Sequence, residues 1–151
     1  MENLEEKFIG LALKEAEKAK SIDEVPVGCV LVKDGKVIAK AHNLREHKNN
    51  ALAHAEIIAI EKACKKLNSW RLDNITLYVT LEPCPMCAGA ILQSRIKKVV
   101  YGANDFKGGA LGSSFNLFEQ PNLNHHPEII GGIKKEECSQ IITNYFKTKR
   151  K

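Results

Sequence analysis

Thr76 to Thr80 is a run of β-forming residues that passes through Leu81-Glu82 directly into Pro83-Cys84-Pro85-Met86-Cys87, and Met86 to Gln93 then reads as a helix. A strand that turns at once into a helix carrying two cysteines on its first turn constrains the chain more than any other segment. The rest of the sequence repeats the alternation. Leu4, Phe8, Leu11, Ala12, Ala16 and Ala19 recur at helical spacing, giving an amphipathic first helix. Cys29 to Val32 and Val37 to Ala41 are short apolar runs around Lys33-Asp34-Gly35-Lys36, and Asp-Gly between such runs predicts a hairpin. Ala55 to Leu67 is helical in period, Lys98 to Tyr101 is a strand, and after the apolar pair Ile129-Ile130 and a Gly131-Gly132 break a last helix runs from about Lys134 to Phe146. Strands alternating with helices predict a three-layer α/β/α sandwich around one sheet.

A chain of 151 residues with 44% hydrophobic content fits one domain, residues 1–151, with a basic C-terminal helix from about 134. No stretch approaches the roughly 20 apolar residues needed to span a bilayer, and the acidic start lacks the layout of a secretory signal, so a cytoplasmic protein with no membrane partner is expected. Five cysteines are an odd number for a disulfide framework. Cys29, Cys64 and Cys138 lie among apolar neighbours and are read as small core residues. The net charge of +5 permits a polyanionic partner. Lys147, Lys149, Arg150 and Lys151 crowd the end, which suits either a solvated tail or a nucleic-acid contact.

The chemistry sits at two helix starts. His54-Ala55-Glu56 opens one and Pro83-Cys84-Pro85-Met86-Cys87 the other. Cys84 and Cys87, three residues apart, share a helix face and can share a metal, and His54 completes a trio. Thiolates at a helix N-terminus are favoured by its unpaired N–H groups and dipole. Three protein ligands, rather than four, leave a position for water, as in catalytic zinc sites. Glu56 is set about 200° round the helix from His54, so it faces a bound water better than it binds the ion. Zinc brings the pKa of such a water to about 7, and a nearby carboxylate can take its proton and hand it to a leaving group. Two other readings exist: a thioredoxin-like Cys-x-x-Cys, which leaves His-x-Glu without a role, and a structural zinc knot closed by His42 or His47. His125 and His126 read as a polar surface loop.

His-x-Glu followed by Pro-Cys-x-x-Cys is the signature of zinc nucleobase deaminases. With Glu24-Val25-Pro26-Val27-Gly28, Asn43, Leu77 to Cys84, Met86 to Ala90 and Ser94-Arg95-Ile96, the chain resembles the bacterial tRNA-specific adenosine deaminases of the cytidine-deaminase-like superfamily over nearly its whole length. Tyr101 to Asp105 and Gly109 to Ser113 point to the tRNA adenosine branch, although Asn104 stands where many members carry arginine and Gly108 where many carry threonine.

The resemblance implies a central mixed five-stranded sheet, one Zn2+ per subunit on His54, Cys84 and Cys87, and Glu56 as the catalytic proton carrier. It implies hydrolysis of adenosine to inosine at the wobble position of a tRNA anticodon stem-loop, in a homodimer. Asn43 would bond the purine, Val27 line the base pocket and Asp105 contact the sugar of a flipped nucleotide, with Phe146, Lys147 and Arg150 on the RNA surface. For Val27 a plain core residue is an equal reading, and for Asp105 a loop cap is another. A deaminase of a free base or nucleoside, guanine or cytidine, shares the zinc residues. A non-catalytic RNA-binding subunit fits the charge but gives Glu56 no role.

Overall fold

The computed structural model describes residues 3–149. Helix α1 (Leu4–Ser21) is followed by the hairpin β1 (Gly28–Lys33) and β2 (Lys36–His42), then α2 (Ala55–Leu67), β3 (Ile75–Leu81), α3 (Pro85–Gln93), β4 (Lys98–Ala103), a short 3-10 helix (Leu117–Glu119), β5 (Glu128–Ile130) and α4 (Lys135–Lys149). The strands form one mixed sheet in the order β2-β1-β3-β4-β5, with β1 antiparallel to both β2 and β3, and β3, β4 and β5 mutually parallel.

Local chemistry accounts for each boundary. Asn3 caps α1, its side chain accepting from the Glu6 amide at 2.8 Å while the Asn3 amide donates to the Glu6 carboxylate at 3.2 Å. Leu4, expected on the inner face, stands 59% exposed in the first turn, and Ile9 takes the inner position beside Phe8, Ala12, Ala16 and Ala19. The hairpin turns on Asp34 and Gly35, both at positive φ (51° and 76°), the backbone that an Asp-Gly pair tolerates at lowest cost. The final helix passes the expected end at Phe146 and continues to Lys149, so the described part of the basic tail is its last turn.

Side chains of each strand alternate between two cores. Val30, Val32, Tyr78 and Val100 face α1 and α4, where Phe8, Ile9 and Cys138 pack on them. Cys29, Leu31, Leu77, Val79 and Val99 face α2 and α3, meeting Ile58, Ala59, Ala88 and Ile91. Helices thus cover both faces of the sheet, giving the expected sandwich. Each fully buried aliphatic side chain contributes about 1.5–3 kcal/mol. Cys29 and Cys138 are fully buried and Cys64 packs against the core, so all three serve as small apolar residues.

The register fixes where a ligand can sit. Gly28 lies opposite His42, Cys29 opposite Val79, and Leu81 opposite Ala103. Val27, Asn43, Glu82 and Asn104 therefore leave the sheet at one end, beyond the carboxyl ends of the parallel strands. That is where open α/β sheets bind ligands.

Candidate active site

His54 is the N-cap residue of α2 and Cys84 that of α3, each with extended backbone, and Cys87 follows one turn into α3. Pro85 suits the first helical position because the N–H it lacks would have no partner there. The two helix starts abut, bringing His54 Nδ1 to 3.7 Å from Cys84 Sγ and 3.5 Å from Cys87 Sγ. All three donor atoms lie within 4.8 Å of one another. Hydrogen bonds from Cys87 and His54 hold the Cys84 thiol down to about 4, and Cys87 is pushed up for the converse reason. A set so rich in acceptors, gathered at two helix N-termini, fits a soft divalent cation such as zinc. Among the described residues no further histidine, cysteine or carboxylate joins the group. The loop histidines considered as a fourth ligand are engaged elsewhere, His42 Nδ1 with Glu15 at 3.2 Å and His47 Nδ1 with Glu24 at 2.6 Å.

Glu56, in the first turn of α2, is 4% exposed, and burial pushes its carboxyl up to about 7 against the opposing pull of His54 and Cys87. A carboxyl balanced near neutrality can both take and give a proton. His54, Glu56 and Cys84 line a cavity of about 640 Å³ together with Val27, Asn43, Asp105 and Phe146, while Cys87 lies buried behind the wall. Seven of the ten residues singled out from sequence thus meet at one cavity.

Val27 is half-buried and both packs on the core and lines the cavity, so its two readings hold together. Asn43 is buried and pinned, its amide nitrogen donating to the Val25 carbonyl at 3.2 Å and its oxygen accepting from the Arg45 amide at 3.0 Å. Asp105 caps its own loop, accepting from the Lys107 and Gly108 amides at 3.1 and 3.0 Å, and also borders the cavity. Phe146 is 41% exposed at the mouth. Lys147 is exposed and outside the lining, and Arg150 and Lys151 lie outside the described residues. His125 and His126 turn out to be tethers, bonding the carbonyls of Ile96 at 2.7 Å and Phe118 at 2.6 Å.

Asp23, Glu24, Tyr145 and Glu82 line the cavity without having been singled out from sequence for a site role, and Lys149, expected only as part of the basic end, joins them. Lys149 pairs with Asp23, and the Tyr145 hydroxyl donates to the Asp23 carbonyl at 3.2 Å, joining α4 to the segment after α1. Two buried carboxylates hold the flanking loops. Glu24 accepts from the Glu46 and His47 amides at 3.1 and 2.7 Å. Glu82 binds the 104–113 loop, and although burial would raise its carboxyl, the Ser113 hydroxyl and the backbone amides of Ser113, Leu111 and Asp105 hold it below the usual range. Both acids stand inside the quoted motifs Glu24 to Gly28 and Leu77 to Cys84, the one signal that could have found them.

Comparison with known proteins agrees with this geometry. The family model of MafB19-like deaminases matches residues 3–150. A tRNA-specific adenosine deaminase of Bacillus subtilis (strain 168) is 50% identical over 147 residues, covering 97% of this chain and 91% of the relative. A solved structure from work on A-to-I editing by tRNA:A34 deaminases at the wobble position of transfer RNA superposes with a TM-score of 0.87 at 48% identity, covering 89% of this chain and 98% of that one. The solved guanine deaminase of B. subtilis is 36% identical with a TM-score of 0.65, each chain covered to 82%. With its sheet, its His/Cys/Cys group and relatives at this identity over nearly the full length, the chain belongs to the deaminase family that contains the tRNA-specific adenosine deaminases.

Proposed function

We propose that the chain is a zinc-dependent hydrolase that converts adenosine to inosine at the wobble position of tRNA, its whole length forming one deaminase domain. The observation that carries the reading is the buried carboxyl of Glu56 in the wall of a nucleotide-sized cavity, beside a His/Cys/Cys group, in a chain half identical to a tRNA-specific adenosine deaminase. His54, Cys84 and Cys87 would hold one zinc ion. Bound there, zinc supplies hydroxide at neutral pH by lowering the pKa of a water.

Glu56 does the proton work. It takes the proton released as the nucleophile forms and passes it to N1 of the purine ring as C6 is attacked, then takes the remaining proton from the oxygen added at C6 and gives it to the departing amine. Water is consumed, and the C6–N bond breaks to release ammonia. Asn43 holds its side chain against the base from a fixed backbone bracket, Val27 packs on the base face, and Asp105 meets the ribose. The mouth lies open to a nucleotide splayed from a single-stranded loop. Phe146 offers a stacking face there, with Lys147 and Arg150 as phosphate contacts.

As setting and assembly we infer a cytoplasmic homodimer that binds the anticodon stem-loop. No helix among the described residues is long and apolar enough to cross a membrane. Leu52 and Trp70 leave apolar surface for a second copy, being 55% and 61% exposed. Sedimentation of the purified chain should give twice the chain mass. The function is tested by incubating the chain with unmodified tRNA, with free adenosine and cytidine, and with guanine. Inosine in the anticodon of tRNA is expected. Turnover of guanine or a free nucleoside with tRNA untouched would replace the reading with that of a small-substrate deaminase.

A further inference from the structure

Glu82 is 2% exposed, and its two carboxylate oxygens collect five donors from a single loop. Oε1 accepts from the Asp105 amide at 3.1 Å, from Asn104 Nδ2 at 3.3 Å and from the Ser113 hydroxyl. Oε2 accepts from the amides of Leu111 at 3.0 Å and Ser113 at 3.1 Å. Asn104 also bonds Tyr101 Oη and Ser113 Oγ, both at 3.2 Å, so its side chain is spent on closing the loop. The Ala110 amide adds a bond of 2.9 Å to the Pro83 carbonyl. The loop wraps so closely that a Cβ on Gly109 would fall 2.4 Å from Glu82 Cδ and 2.6 Å from the Asp105 carbonyl oxygen. Glycine is the residue that permits such an approach.

This wrapping sets the mouth of the cavity. Asp105 is held at the rim, and the adjacent Phe106 is left 78% exposed. Both oxygens of Glu82 face backbone N–H groups, so only a carboxylate satisfies the loop. An amide at this position would turn its NH2 group toward at least one backbone donor and leave it unpaired. Glu82 also lies two residues before Cys84, so the anchor of the rim and one sulfur of the His/Cys/Cys group belong to the same short turn.

We propose that Glu82 is a positioning residue: its buried carboxylate holds the 104–113 loop so that Asp105 meets the nucleotide, tying the substrate rim to the turn that carries Cys84. The proposal rests on the reading of Asp105 as a nucleotide contact and of RNA as the substrate.

The test compares Glu82→Gln, Asp105→Ala and the double variant in the full-length, zinc-loaded chain, using an anticodon stem-loop with one loop adenosine. Glu82→Gln should keep its zinc and raise KM by about tenfold while kcat changes less than about threefold. Asp105→Ala should raise KM in the parent chain and add less than about twofold on top of Glu82→Gln, because both act on one contact. Amide exchange at Leu111 and Ser113 should accelerate. Loss of kcat at constant KM, or KM effects that multiply in full, would overturn the proposal. Should Glu82→Gln fail to fold, Ser113→Ala removes one donor and should show the same KM split on a smaller scale, and an unchanged KM there overturns it equally. If the parent chain binds no RNA, the RNA reading fails on its own, and exchange at Leu111 and Ser113 still decides the clamp: unchanged rates in the variant sink it.

Discussion

At the floor of the cavity the side chains come from the starts of α2 and α3, while around its mouth they come from the 23–27 segment, from Arg45 and Glu46 after β2, from Asp105 after β4 and from the last turn of α4. His54 and Glu56 sit at the start of α2, Cys84 and Cys87 at the start of α3, so each pair is placed by its own helix and contact between the two helix starts completes the floor. The mouth is held by contacts between residues far apart in sequence. Glu24 reaches Glu46 and His47, Glu82 reaches Leu111 and Ser113, and Tyr145 reaches Asp23. A chemistry can be kept in the floor of such a cavity while the mouth is altered.

Damage to the floor should be the most severe. Cys87→Ala is expected to lose its metal and all measurable turnover while tRNA affinity stays near the parent value. Metal analysis beside a filter-binding titration checks this, and a variant that keeps both zinc and activity breaks the division. Between floor and mouth, Asn43→Ala strands the Val25 carbonyl and the Arg45 amide, at a cost of about 1–2 kcal/mol. Activity should fall roughly tenfold in kcat/KM with zinc retained, measured on the same stem-loop.

The two regions differed as much in legibility as in construction. The His/Cys/Cys group could be read because each member sits within a residue or a turn of a helix start, where capping and dipole chemistry leave local marks. The Asp34-Gly35 hairpin and the boundaries of α2 were legible for the same reason. Nothing local in Leu81-Glu82-Pro83 tells that its acid will receive amides about thirty residues later, for those partners are chosen by tertiary folding. Leu4 misled because the helical period holds in the first turn even where there is nothing to pack against. The end of α4 misled because the basic residues after Phe146 could be helix or tail, and the pairing of Lys149 with Asp23 and its place over the Tyr145 ring, at 5.6 Å, accompany continued helix.

Effects at the mouth should be smaller and graded. Neutralising Lys147, Lys149, Arg150 and Lys151 together should weaken tRNA binding and flatten its salt dependence, with kcat at saturation close to the parent value. An unaltered slope and affinity would remove this end from the binding surface. Smallest of all is an acid effect from Glu24. Burial would raise its carboxyl, but the His47 amide and ring and the Glu46 amide outweigh that and hold it below its ordinary value. A lowered native pKa means that its stabilisation is complete above the unfolded value, about 4.3, and is lost as pH falls through the native one. Thermal unfolding should therefore show a Glu24→Gln difference that shrinks as pH falls below about 4. A difference that grows on acidification would contradict the assignment.

We propose a division of labour on the floor, with three side chains holding the metal and Glu56 moving protons. Zinc content and inosine formation in one preparation of Glu56→Gln test it most directly. One zinc per chain is expected, as in the parent, with a rate of inosine formation on tRNA lower by at least about 10²-fold. Turnover near the parent rate, or stoichiometric loss of zinc from the variant, would contradict it.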